Sequence, residues 1–200
     1  MSTEPFNREK QYTAKRQAVI QAAGRAFAKD GYHNTPMRDI AASLGLTKAA
    51  LYYYVKNKEE ILFECHTLVY DAMDDILKDN RGVGQTGLDF IVEIYGRLVL
   101  LMTQSGLPLL TDIGALTGPA QDSVLERRKK IEKRVTDLVK LSILDGSMER
   151  RDPQLTAFFF MGALNWLNAW YDPDGDKSAE DIANHFCAQL RTGLKALDPS

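Results

Sequence analysis

Apolar positions recur at helical spacing along most of the chain, and no stretch alternates as a half-buried strand would. From about Thr13 to Lys29, Val19, Ile20, Ala23 and Phe27 form one stripe, and Asp30-Gly31 stops the helix. Met37, Ile40, Ala41 and Leu44 then share one face of a short helix. Thr35 is expected to cap it, with Pro36 in its first position, where no donor is needed. Gly45 falls just past its end, where a left-handed backbone is usual and only glycine is free of strain. Leu46 plugs the corner, Thr47 caps a second short helix, and Ala50, Leu51 and Tyr54 face the first. Small Ala41 at the crossing, the turn glycine and apolar Leu51 are the marks of a helix-turn-helix.

Beyond it, Asn57 is placed to cap a longer helix, with Glu60 closing a capping box. Ile61, Leu62, Cys65, Leu68, Val69, Met73 and Leu77 carry that helix to about Asn80. The cap follows the recognition helix almost at once, so a shift of this helix must move the head. Gly82, Gly84 and Gly87 mark a loop, but it lacks the Lys-Ser/Thr ending and preceding strand of a phosphate-binding loop. Leu88 to Thr103 is strongly apolar and is closed by Ser105-Gly106 and Pro108; residues 108–118 hold only a short turn or two. A long helix from Ala120 to Asp145 turns Val124, Leu125, Ile131, Val135, Leu138 and Val139 inward, and Gly146 ends it. Asp152-Pro153 starts another that runs to Tyr171; it is apolar nearly all round and so needs cover on several sides. Pro173 and Gly175 break it, Ser178 with Asp181 opens the last helix, and Ile182, Phe186, Leu190, Leu194 and Leu197 line that helix. The pattern predicts an all-α fold of about nine helices. Residues 1–58 form a three-helix helix-turn-helix head and residues 59–200 a helical body.

Charge sharpens this division. The formal net charge of -2 hides a head, residues 1–58, with ten Lys and Arg against four acids, and a remainder with fifteen against twenty-three. A basic head on an acidic body suits a polyanion bound through the head, although charge alone does not separate DNA from an acidic protein. Lys48 opens the recognition helix, where side chains reach base edges; Tyr52, Tyr53, Lys56 and Lys58 cluster at its other end as phosphate donors would. Residues 1–11 are expected to fray, with Arg8 and Lys10 able to follow a backbone of phosphates. No apolar run approaches the ~20 residues that cross a bilayer, and the N-terminus lacks the apolar core of a signal peptide. Cys65 and Cys187 stand apart without metal-ligand spacing, as reduced thiols of a cytoplasmic protein would. No paired carboxylates, metal-binding His-Glu spacing or Ser or Cys beside a base is found, and His33, His66 and His185 are scattered. No catalytic residue, metal or cofactor is expected.

Three segments carry a family resemblance: Ala22-Ala23-x-x-Ala26-Phe27-x-x-x-Gly31-Tyr32, Thr35-x-x-x-Asp39-Ile40-Ala41-x-x-x-Gly45-Leu46, and Leu51-Tyr52-Tyr53-Tyr54-Val55-x-x-Lys58-x-x-Ile61-Leu62. Together they resemble the head of the tetracycline-repressor (TetR) family of bacterial transcription regulators. Tyr53, Tyr54 and Val55 depart from the usual Phe and frequent His. Gly162-Ala163-Leu164-Asn165-Trp166 with Trp170-Tyr171-x-Pro173-x-Gly175 is similar to members that respond to acyl-CoA thioesters.

The resemblance implies a homodimer whose last two helices pair as a four-helix bundle and whose heads enter successive major grooves of a palindromic operator. It implies a repressor released when a small molecule enters the body and changes the head separation. A DNA-organising or cell-division protein with the same head and no effector is the alternative. Expected DNA contacts are Thr35, Arg38, Thr47, Lys48, Ala49, Tyr52, Tyr53, Lys56 and Lys58. Expected ligand contacts are Leu62, His66, Val69, Ile91, Tyr95, Met102, Arg127, Arg128, Phe159, Asn165 and Trp166. Phe158, Leu167, Trp170, Phe186, Leu190 and Leu194 are expected in the dimer contact, while Trp166 and Trp170 stand between pocket wall and interface. The effector is expected to be a CoA thioester, its nucleotide end met by the basic run at Arg127, Arg128, Lys130 and Arg134, or else a free hydrophobic molecule. Two bland readings stay open: the run as a solvated face, and His66 as a hydrogen-bonded core residue.

Overall fold

The computed structural model describes residues 4–104 and 112–193, with side chains from Arg8 onward at the N-terminal end. Among them are eight α-helices, one 3-10 helix and no strand. The helices are α1 (Glu4–Asp30), α2 (Met37–Ser43), α3 (Lys48–Tyr54), α4 (Lys58–Leu77), α5 (Gly87–Gln104), α6 (Gly118–Leu144), α7 (Pro153–Trp170) and α8 (Ala179–Thr192); Asp112–Ala115 is the 3-10 turn. The expected all-α architecture is observed.

The main departure is at the start. Helix α1 begins at Glu4, not near Thr13, and includes Arg8 and Lys10 rather than leaving them in a frayed end. Its first turns are polar and carry no apolar stripe to read, but Arg, Glu, Lys and Gln are good helix formers. Two contacts hold this part in place: the Thr13 hydroxyl donates to Glu9 O at 3.0 Å, and Tyr12 lies against Tyr53 and Tyr54 with ring centroids 5.4 Å from each.

The chain divides into two compact units, Met1–Tyr70 with Gly106–Glu126, and Asp71–Ser105 with Arg127–Ser200. This partition differs from a boundary at Lys58, and α4 and α6 each contribute residues to both units. In the first unit α1 packs on α2 and α3, which also pack on each other. Ile20, Phe27, Ile40, Leu51, Val55 and Ile61 are almost fully buried there. The opening of α4 is tied down by three acids. Glu60 N–H donates to the Asn57 cap at 2.7 Å, and the Glu60 carboxylate accepts from Lys56 N–H at 2.5 Å, one residue earlier than a capping box requires. Arg16 on α1 donates to Glu60 at 3.0 Å and Glu64 at 2.8 Å. Glu59 accepts from both the backbone N–H and the hydroxyl of Thr117 at 2.8 Å.

In the second unit α5 packs against α7 and α8, and the Tyr95 hydroxyl donates to Phe160 O at 3.1 Å. Asp145 accepts from Arg81 and from Gly87 N–H, each at 2.6 Å, pinning the start of α5 to the end of α6. Gly87 permits this approach: a Cβ there would lie 2.6 Å from Ser142 Cα. Asp152 caps α7 and Ser178 with Asp181 forms a capping box on α8, both as the sequence predicts.

Candidate functional site

The turn between α2 and α3 is closed by backbone bonds from Gly45 N–H to Ala42 O at 3.0 Å and Leu46 N–H to Ala41 O at 2.9 Å. Gly45 has φ +65°, the left-handed value its position calls for. Thr47 then caps α3 by accepting from Ala50 N–H at 3.1 Å. The start of α2 differs from expectation. Pro36, not Thr35, is the N-cap, and no side chain bonds the first turn. Thr35 is 4 % exposed and its hydroxyl donates inward to Gly31 O at 2.8 Å and Ala26 O at 3.4 Å. It orders the loop after α1, which corrects its placement as both a helix cap and an outward-facing contact.

Arg38, Thr47, Lys48, Ala49, Tyr52, Tyr53 and Lys56 are all exposed. The Lys48 ammonium lies 5.9 Å from the centre of the Tyr52 ring. Tyr53 is 69 % exposed, a large area for an aromatic ring to leave in water. It is nonetheless held in place: Tyr12, which the sequence reading missed, donates its hydroxyl to Tyr53 O at 3.4 Å and meets the ring edge-on. Lys58 behaves differently from its neighbours. Its ammonium sits 4.3 Å from the Tyr32 ring centre and 5.7 Å from that of Phe27, with Nζ 3.5 Å from His33 O. Burial lowers its pKa, opposed by the charge of Asp112. Lys58 is a half-buried cation–π partner of the head, a role invisible in the sequence because Tyr32 is remote along the chain.

Apart from Arg127 and Arg128, the ligand candidates fall into three groups. Leu62, His66 and Val69 are buried in the first unit, and Ile91, Tyr95 and Met102 in the second. Phe159, Asn165 and Trp166, by contrast, lie on the outside, Phe159 at 73 % and Trp166 at 68 % exposure. The reason is the division of α7 into two faces. Ala157, Phe160, Leu164 and Leu167 are covered by the chain itself, whereas Leu155, Phe158, Phe159, Trp166 and Trp170 are left uncovered. Leu167, 1 % exposed, therefore belongs to the chain's own core, a correction to its place in a dimer contact. Phe186 is half-buried and stacks on Tyr95 with centroids 6.4 Å apart. Leu190 is also half-buried and lines an open cleft of about 710 Å³ with Met148, Arg151, Leu155 and Phe159. Leu194 and Leu197 lie outside the described residues, as do Ser105, Gly106 and Pro108.

The basic run of α6 is largely engaged. Arg127 donates to Asp71 and Asp74, and Arg134 to Leu77 O at 2.9 Å and Asp79 O at 3.2 Å. Arg128 and Lys129 remain on the exposed face. His66 departs from the bland reading in the opposite sense. It is 1 % exposed, yet neither ring nitrogen has a hydrogen-bond partner, and its ring stacks on Tyr70 with centroids 6.0 Å apart. Burial pushes its pKa down to about 4, with Asp112 opposing, so the ring is neutral at pH 7. A buried polar atom left unpaired costs about 1–3 kcal/mol. Among the described residues no cluster of His, Cys, Asp or Glu could hold a metal, and no helix is long and apolar enough to cross a membrane.

Comparison with known proteins agrees with this architecture. The model for bacterial regulatory proteins of the tetR family matches residues 19–65, and that for the tetracyclin repressor-like C-terminal domain matches residues 88–194. The helix-turn-helix transcriptional repressor KstR2 of Mycolicibacterium smegmatis is 25% identical over 196 residues, covering 92% of each chain. Among solved structures, AibR in complex with isovaleryl coenzyme A and operator DNA is 27% identical with a TM-score of 0.74, covering 88% of this chain and 97% of its own. The ketosteroid regulator KstR2 of Mycobacterium tuberculosis has a TM-score of 0.76 at 20% identity over 90% of this chain and 94% of its own, which is a likeness of fold.

Proposed function

This chain belongs to the tetR family of bacterial regulatory proteins, and we propose that it is a cytoplasmic repressor that binds a palindromic operator as a homodimer and is released by a small effector. The observation that carries the reading is the outward face of α3. Lys48, Ala49, Tyr52 and Tyr53 are exposed on a helix that Thr47 caps and Tyr12 braces, within the basic head. Lys48 and Ala49 stand at the front, where base edges are read, and Tyr53 and Lys56 at the rear, where phosphates lie. Lys58 contributes by holding Tyr32 and not by reaching the backbone of the DNA.

The uncovered apolar face of α7 supports the dimer. Phe158, Trp166 and Trp170 would be buried against a second copy, and on this reading both tryptophans belong to the interface, not to a pocket wall. Release follows from linkage: an effector that favours a head separation unsuited to the operator lowers DNA affinity by its coupling free energy, about 1–3 kcal/mol in typical cases. Helix α4 is suited to carry that change because Glu60 and Glu64 bind Arg16 on α1 and Glu60 binds the backbone just after α3. The likeness to AibR, solved with isovaleryl coenzyme A and DNA, supports a CoA thioester as effector. Arg127, engaged by Asp71 and Asp74, is poorly suited to meet its nucleotide end.

The test is selection of a binding site from random duplex DNA, followed by anisotropy titration of the selected site with and without acyl-CoA thioesters and the matching free acids. A palindrome bound by a dimer and released by thioesters is expected. Sequence-indifferent binding would refute the operator reading, and release by free acids alone would refute the thioester. Sedimentation of Phe158→Asp checks the interface: a charge forced into an apolar contact should give monomers, and an unchanged dimer would place the contact elsewhere.

A further inference from the structure

The imidazole of His66 is the one buried side chain, among the described residues, whose polar atoms are all unpartnered. It projects from the face of α4 that also carries Leu62, Val69 and Tyr70, each 4 % exposed or less. A core position of this kind would be better filled by leucine, since burial of an unpaired polar group opposes folding. We infer that His66 is the polar anchor of an effector subsite in the first unit and that the group it holds is uncharged, a carbonyl oxygen accepting from the ring N–H. This rests on the effector-released reading and narrows it to one end of the ligand.

Two features choose a neutral carbonyl over a carboxylate. The site is closed to water, with His66, Leu62 and Val69 all 1 % exposed or less, so a ligand carboxylate held there would lose its hydration, a loss a carbonyl largely escapes. Among the described residues, the charged group that acts on the ring is Asp112, an acid at the head of the 3-10 turn. A ligand carboxylate placed against His66 would meet that negative charge in an apolar surround, whereas an ester, thioester or amide carbonyl carries no charge to repel. The subsite thereby accepts the acyl carbonyl of a thioester and disfavours the free acid that its hydrolysis would yield. A hydrocarbon chain beyond the carbonyl suits Leu62 and Val69, which offer no polar atom.

The experiment is calorimetric titration at pH 7 with isovaleryl and octanoyl ligands, each as methyl ester, CoA thioester and free acid, on wild type, His66→Leu and His66→Asn. Esters and thioesters should bind wild type at least about tenfold more tightly than the acids. His66→Leu should lose about tenfold toward the uncharged ligands, the worth of one hydrogen bond, while its thermal midpoint equals or exceeds that of wild type. His66→Asn, which restores a donor, should recover part of the loss. In wild type labelled with 15N-histidine, the His66 ring should stay neutral when the pH is lowered to 5, and its ring N–H should shift on adding the ester. Unchanged affinity of His66→Leu, acids bound as tightly as esters, or no uncharged ligand bound at all overturns the inference. If esters bind in a His66-dependent way but thioesters never release the operator, the subsite stands and the thioester reading falls.

Discussion

Replacing Arg16 by methionine tests whether the head is held to α4 by charge. The guanidinium donates to Glu60 at 3.0 Å and Glu64 at 2.8 Å, with all three side chains about one-quarter exposed. Exposed ion pairs contribute about 0–1 kcal/mol, and hydrogen bonds to charged groups in less solvated sites about 1.5–3 kcal/mol. Two bonds from one part-buried group fall between these limits, at roughly 2 kcal/mol together. Removal also leaves Glu60 and Glu64 one helical turn apart without a cation, adding about 0.2–0.5 kcal/mol of repulsion. Methionine keeps the aliphatic stem, so packing loss is small. The loss should therefore be about 2 kcal/mol, read as a lower urea midpoint of the helical signal by circular dichroism. Both tryptophans lie on α7 in the second unit, so their fluorescence is the wrong probe for the head. A cycle with Glu64→Gln should return a coupling of about 1 kcal/mol. A loss below about 0.5 kcal/mol, or a coupling near zero, would show that the pair is only a surface contact and would remove α1 from the route by which α4 reaches the DNA.

Three further outcomes follow from single positions. Gly45→Val should destabilise the head by about 1–2 kcal/mol through backbone strain alone, because a Cβ at φ +65° meets nothing within 4 Å; a wild-type denaturation midpoint would contradict the turn geometry. Gly87→Ala should cost more, about 3 kcal/mol, because its Cβ would sit 2.6 Å from Ser142 Cα and the helix ends must part; a smaller loss than Gly45→Val would contradict the close approach. His66 has a folded pKa of about 4 against an ordinary 6.5, so between these values the unfolded chain binds more protons and stability falls as pH drops. The loss should approach about 3 kcal/mol by pH 4; a His66→Leu variant with the same pH slope as wild type would show that another group is responsible.

Which parts of the molecule the sequence could specify follows from how far apart the interacting residues lie. Gly45, Thr47, Asn57, Asp152 and Ser178 act on backbone atoms within four positions of themselves, so the turn and most helix starts were readable one residue at a time. The same local chemistry placed Lys48, Tyr52 and Tyr53 on one exposed helix, and the family-like spacing around them named the kind of protein. The polar first turns of α1 escaped because periodicity detects a helix by its apolar stripe, and these turns have none. Thr35 escaped although its partners Gly31 and Ala26 are near in sequence, because a hydroxyl at a helix start can turn forward to cap or back to the preceding loop. Other features that eluded the sequence depend on residues distant along the chain: Lys58 lies over Tyr32, and Arg127 is taken by Asp71 and Asp74. An all-round apolar helix such as α7 carries no mark of which face its own chain will cover, so Leu167 and Trp166 could not be told apart until α5 was packed against it. Likewise a histidine on an apolar helix reads the same with or without a partner; only the packed structure shows that His66 has none, because a missing hydrogen bond is a property of the whole surround and not of the residue.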